Sequence, residues 1–374
     1  LGLKKDYRQS LIKLAKQRIK EKEYPDAIKF LKEALAIKDD QNIKIILARI
    51  LELAGNINDA LAIYKELHSN NKANPFYLLK IGTIEKRVGK KEKAEKYFRK
   101  AVRISKGKIK EQALYALGYL LIKEERLDEA SRLISQYEET EKKMPLRLRF
   151  IEGRLLCAKG EFEKTLEIVR EELKKELSPE MKRDFLVLGG LAKQGNENHL
   201  EAINFINKSI DIAKNKGDII NEASFMTGKG VSLLSLDRYM EALEELEESL
   251  KLVRKLKIKN LEYYCLLNLS NVYLRMGYWE KLKERTIDFG KRYGKVSPFL
   301  REKLLEGELY RGKWTEAEKI KEELKEEKYD LKEGEGIFLI FKGECRKSEK
   351  VLRKTFEKRK GEPTEKRDNI RRLS

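Results

Sequence analysis

Along residues 91–105, Ala94, Phe98, Ala101 and Ser105 recur every three or four positions, with Lys93, Lys96, Lys100 and Arg103 on the opposite side. That period predicts an amphipathic helix with one buried face. A longer pattern runs through the whole chain: a small residue followed twelve positions later by another. Ala15 and Ala27, Ala48 and Ala60, Gly82 and Ala94, and Gly118 and Ala130 obey it. So do Gly153 and Thr165, Gly190 and Ala202, and Gly230 and Ala242. Ser270 with Leu282 and Leu305 with Ala317 follow it loosely, and Gly336 with Ser348 completes the series. Successive first members lie 31 to 40 residues apart, so the chain is a repeat.

The physical reason for such a pair is close packing of two antiparallel helices joined by a tight turn. Where the axes cross, a side chain larger than a methyl forces the helices apart. The turns are legible as AGNINDA, VGKKEKA, AKGEFEKT, SLDRYMEA, MGYWEKL and RGKWTEA. Gly55, Gly89, Gly160 and Gly277 fit the end of a first helix, where a positive φ favours glycine. Three positions before the second small residue stands an apolar or aromatic plug: Tyr24, Phe162, Tyr239, Trp279 or Trp314. Lys91 occupies that slot in the third unit.

IGTIEKRVGKKEKAEKYFRKA, with Gly82, Ala94, Phe98 and Ala101, and ALGYLLIKEERLDEA, with Gly118, Tyr119 and Ala130, resemble the tetratricopeptide repeat. The resemblance implies an all-α, right-handed superhelical solenoid of about ten helix-turn-helix units with a concave groove. The units begin near residues 8, 41, 75, 111, 146, 183, 223, 263, 298 and 329, giving an array over 1–358. Residues 359–374 have lost the period and read as a basic linker to a further domain. The two 40-residue units are similar to the longer repeats in the arms of bacterial multidomain regulators.

In that family the groove is lined by the first helix of each unit. The matching positions are Gln112, Tyr115 and Tyr119 in the fourth unit, and Arg147, Phe150 and Arg154 in the fifth. In the eighth they are Tyr264, Asn268, Asn271 and Arg275. Units two and three offer Asn42, Arg49, Phe76, Lys80 and Thr83. By the resemblance, Asn268 and Asn271 hold the backbone of an extended peptide, since an amide both donates and accepts. The alternative is that each simply hydrogen-bonds the neighbouring repeat. Aromatics mixed with arginines suit a protein segment with apolar anchors and some acidic character.

Composition narrows the classes. Charged residues make up 39 % of the chain, against about a quarter in ordinary globular domains, which suits a thin helical array. The bias toward Lys, Glu and Ile is thermophile-like. The longest apolar runs, such as IFLIF at 337–341, fall far short of the roughly 20 residues of a membrane span. No signal peptide precedes LGLKKDYRQS, so the expected location is cytoplasmic, and the missing initiator Met suggests a piece of a longer protein. Cys157, Cys265 and Cys345, with His68 and His199, are too scattered for a disulfide framework or a zinc site. No nucleophile elbow, phosphate loop or metalloprotease motif is present, so neither cofactor, metal nor catalysis is expected.

Charge is uneven. Residues 1–110 hold 28 basic and 13 acidic side chains, and residues 111–330 hold 41 and 42. The basic patch comprises Lys86, Arg87, Lys93, Lys96, Lys100 and Arg103. Lys86 and Arg87 sit late in a first helix, nearer the groove, whereas the other four face away from it. The expected function is a non-catalytic scaffold or sensor arm that captures a peptide or protein segment, within a larger signalling or transcription regulator. The competing readings are a nucleic-acid-associated repeat using the basic N-terminal third, and self-assembly by end-stacking.

Overall fold

The computed structural model describes residues 2–140, 144–294, 296–331 and 333–361. Those residues form twenty α-helices and no strand. The chain divides into two compact units, Leu1–Ile151 and Glu152–Ser374. The first contains α1 (Gly2–Lys20), α2 (Tyr24–Ile37), α3 (Gln41–Leu53), α4 (Ile57–Asn70), α5 (Pro75–Arg87), α6 (Lys91–Ile104), α7 (Gly107–Lys123) and α8 (Leu127–Thr140). The division falls inside α9 (Leu146–Ala158).

The second unit continues with α10 (Phe162–Leu173), α11 (Pro179–Gly195), α12 (His199–Asn215), α13 (Ile219–Ser235), α14 (Tyr239–Leu256) and α15 (Lys259–Met276). It ends with α16 (Trp279–Tyr293), α17 (Pro298–Tyr310), α18 (Trp314–Glu326), α19 (Glu333–Phe341) and α20 (Cys345–Gly361). Of the expected tail, residues 362–374 lie outside the described residues. Within each unit a helix packs chiefly on its neighbours in sequence, the order of a helical-repeat solenoid. Odd-numbered helices are the first (A) and even-numbered helices the second (B) of each hairpin.

Local chemistry sets the ends. Several A helices start on a polar cap followed by proline: Asn74 accepts from Phe76 N, Ser178 from Met181 N and Ser297 from Leu300 N. Asp40 caps α3 through Asn42 N and Ile43 N. At the other end, Gly55 has φ +83°, its N–H bonds Glu52 O, and Asn56 N bonds Leu51 O. Asn56 is also the N-cap of α4, so the turn has no spare residue. The same pair of bonds recurs at Glu125, where Arg126 N meets Leu121 O, although glutamate holds φ +59° there.

The twelve-residue pairs are where helices touch. Ala15, Ala27, Ala48, Ala60, Ala94, Ala130, Thr165, Ala202 and Ala242 are all fully buried. A Cβ on Gly82 would come 2.7 Å from the Phe98 ring, and one on Gly230 2.6 Å from Leu246 Cγ. The looser members Ser270, Leu282, Leu305 and Ala317 are buried as well.

Three of the plugs reach the following repeat. Phe162 lies against Gly195, Trp279 stands 3.9 Å from the Cβ position of Gly307, and Trp314 packs edge-on to Phe338 and Phe341. Lys91 instead reaches Glu124 across the same joint, 2.5 Å away.

Polar ties add to the stacking. Arg126 bonds both Glu95 and Glu129 at 2.6 Å. Fully buried Glu262 accepts from Arg254, Arg292 and Tyr293.

Candidate functional site

The first unit brings aromatic rings and cations together on three successive A helices. Tyr115 and Tyr119 stand one turn apart on α7, so their rings share a face, 6.4 Å between centroids and inclined by 27°. On α9, Phe150 continues the row, 6.3 Å from Tyr115 at 28°. Arg147, one turn earlier on α9, places its guanidinium carbon 5.7 Å from the Tyr115 centroid. From α5, Lys86 places its ammonium 5.3 Å from the Tyr119 centroid. The result is a row of three near-parallel rings with a cation over each tyrosine. Phe150 is buried, and both tyrosines are half-buried.

A second cluster lies one repeat earlier. Lys80 on α5 sits 5.9 Å from the Tyr64 centroid, 6.0 Å from that of Phe76 and 3.6 Å from Glu52. The Tyr64 hydroxyl donates to Glu52 at 2.9 Å, and burial, reinforced by that carboxylate, pushes the phenol far above its ordinary value. Gln112 is half-buried one turn before the tyrosine row.

Lys86, which the sequence groups with the basic patch but on its groove side, thus lies over the Tyr119 ring. Arg87 is exposed, with Nη1 3.5 Å from Glu52 O. Lys93, Lys96, Lys100 and Arg103 are exposed on α6, away from Ala94, Phe98 and Ala101. Sequence reading missed the Lys86–Tyr119 contact and the part played by Tyr64. A usable signal exists: contacts between adjacent repeats fall one period apart, as in Lys86 to Tyr119, Tyr115 to Phe150 and Arg254 to Asp288.

In the second unit the expected positions separate. Arg154 is half-buried on α9, whereas Tyr264, Asn268, Asn271 and Arg275 stand together on α15. The Tyr264 ring meets Tyr263 edge-on at 5.2 Å, and burial raises its phenol pKa. Asn268 is only 3 % exposed, and its Nδ2 donates to Tyr264 O one turn back, 3.0 Å away. The amide thus faces the stack, leaving Asn271, half-buried, and Arg275, exposed, as the groups turned outward.

A cleft beside α14 is lined by Met226, Leu243, Glu244, Glu245, Glu247, Glu248 and Lys251. Three of its carboxylates are already engaged, Glu245 by Lys229, Glu248 by Lys251 and Glu247 by Arg285. Among the described residues no three His, Cys, Asp or Glu side chains converge as metal ligands, and no helix is long and apolar enough to cross a membrane.

Family models described as tetratricopeptide repeat match residues 18–77 and 77–108. No curated protein matches the chain in sequence. Among solved structures, a tetratricopeptide repeat protein from Parabacteroides merdae is similar at 18% identity and a TM-score of 0.54, covering 69% of this chain and 98% of that one. A STAND protein (signal transduction ATPase with numerous domains) with a tetratricopeptide repeat sensor, from Pyrococcus horikoshii, is similar at 18% identity and a TM-score of 0.58. That likeness covers 93% of this chain and 55% of the Pyrococcus protein. At such identity the likeness concerns the fold.

Proposed function

The chain belongs to the tetratricopeptide-repeat family, and on that premise we propose that it is a non-catalytic scaffold that captures an extended protein segment on the A-helix face of its first unit. The observation that carries this reading is the ring row Tyr119–Tyr115–Phe150 with Lys86 and Arg147 over its faces. Rigid rings lose little conformational entropy on contact and supply apolar area, while the cations favour acidic residues beside the anchors. Asn271 and Arg275 on α15 offer a second, polar contact for a backbone. The wider setting, a sensing arm within a larger signalling protein, draws on the Pyrococcus protein's repeat sensor and rests on fold likeness.

Selection from a displayed random-peptide library against the intact chain tests the reading. Enriched peptides should carry an aromatic or aliphatic anchor next to Asp or Glu. Tyr115→Ala with Tyr119→Ala should weaken them by at least about tenfold, the scale of a hot-spot truncation. Unchanged affinity in that variant, with its helicity intact, would remove the assignment.

A further inference from the structure

The B-helix side of the first unit carries a second surface with different chemistry. On α6, Lys93, Lys96, Lys100 and Arg103 follow one another at helical spacing, all exposed. They cover about 15 Å of helix at 1.5 Å per residue. Among the described residues none of the four makes an ion pair, although carboxylates are engaged close by: Arg99 on the same helix bonds Glu95 and Glu129, each at 2.7 Å. Burial, then the charges of Lys100 and Lys72, hold the imidazole of His68 below its usual value. Lys72, in the turn after α4, is exposed as well.

The composition of this surface selects its partner. Protein interfaces are depleted in lysine and need an apolar centre, and membrane-lying helices need an apolar face. Here Ile104, at the end of α6, is the one large apolar side chain of that helix that is exposed. Rich in lysine, with one exposed large apolar side chain (Ile104) and one exposed carboxylate (Glu92) on α6, the surface matches a polymer of regularly spaced phosphates, which a point charge neutralises without reading bases. The geometry points to Lys72, Lys93, Lys96, Lys100 and Arg103 as a site for the phosphodiester backbone of double-stranded nucleic acid, bound without regard to sequence. This surface is independent of the aromatic row, which lies on the A helices.

Fluorescence anisotropy of the whole chain with a labelled 30-base-pair DNA duplex, and with an RNA duplex of the same sequence, tests the site. Four to five neutralised phosphates predict a slope of log K against log salt near −4, and about a 250-fold loss between 50 and 200 mM salt. Two unrelated DNA sequences should bind alike. Lys96→Ala with Lys100→Ala should reduce the slope by about 2. Lys208→Ala with Lys319→Ala, which removes the same charge from exposed positions of the second unit, should leave it unchanged. Comparing the two duplexes then shows which nucleic acid the backbone site prefers. Circular dichroism confirms that each variant is folded, and Tyr115→Ala with Tyr119→Ala should bind duplex normally. Absence of binding at 50 mM salt would overturn the proposal. So would equal slopes for the two lysine-pair variants, or binding to phosphatidylserine vesicles but to neither duplex.

Discussion

Ser348 donates its hydroxyl hydrogen to the carbonyl of Gly336, 2.8 Å away and twelve residues earlier. Thr165 stands in the same relation to Gly153 at 3.3 Å. In both hairpins the second member of the small pair reaches the backbone of the first helix at the crossing point. The twelve-residue spacing is thus a contact as well as a size limit.

The size limit can be measured at Gly230, whose added Cβ would meet Leu246 at 2.6 Å. Gly230→Ala should cost about 1–3 kcal/mol, the usual penalty of overpacking. Combining it with Leu246→Ala should cost less than the sum of the two single changes, because the truncated leucine makes room. Thermal melting of the four proteins measures this, and strict additivity would show that the approach of α13 to α14 is not the constraint.

Backbone strain gives a change in the opposite direction. Glu197 is exposed and closes α11 at φ +59°. Glu197→Gly should raise stability by up to about 1 kcal/mol, since the left-handed conformation penalises a Cβ by roughly 1–2 kcal/mol and glycine regains only part of that. The same change at exposed Glu176, outside any such turn, should give no gain.

The two asparagines of α15 should part company. Asn268 is buried and bonded to Tyr264 O, so Asn268→Ala should lower the melting temperature while leaving peptide affinity alone. Asn271→Ala should leave melting unchanged and weaken any peptide that lies along α15. Equal effects of both changes on affinity would return Asn268 to the binding surface.

His68 gives a pH dependence. Burial, then Lys100 and Lys72, depress its pKa, so between the folded value and about 6.5 the unfolded chain binds more protons. Stability should therefore rise with pH through that window and level off above it. His68→Gln should flatten this part of the curve in denaturation measured from pH 5 to 8. An unchanged profile would assign the slope to other groups.

The hairpins were legible in the sequence because their causes are local: a polar cap, a small pair, and a turn residue at positive φ. The inter-repeat joints were legible in part. Plugs such as Phe162 are visible as residues, but that Phe162 lies against Gly195 of the following repeat follows only from the stacking register. Long flexible side chains escaped prediction. Lys86 reads as part of a basic run, yet its stem lets the ammonium settle over Tyr119 on another helix. Asn268 escaped for a different reason. A small rotation about the axis of α15 decides whether an amide faces partner or stack, and Asn268 and Asn271 both fall near that boundary.

The Lys91–Glu124 pair has a mechanical consequence. In a one-dimensional lattice of repeats, stability is a sum of unit terms and nearest-neighbour couplings. Several other joints place an aromatic side chain in that slot, half-buried at Tyr24, Phe162, Tyr239 and Trp279, whereas this joint carries an ion pair with 60% and 33% of its side-chain surface accessible. Such a pair contributes roughly 0–1 kcal/mol and weakens with ionic strength. The coupling between α5–α6 and α7–α8 thus leans on ion pairs, Lys91–Glu124 with Arg126–Glu95 and Arg99–Glu129, so added salt should weaken it more than a joint closed by an aromatic plug.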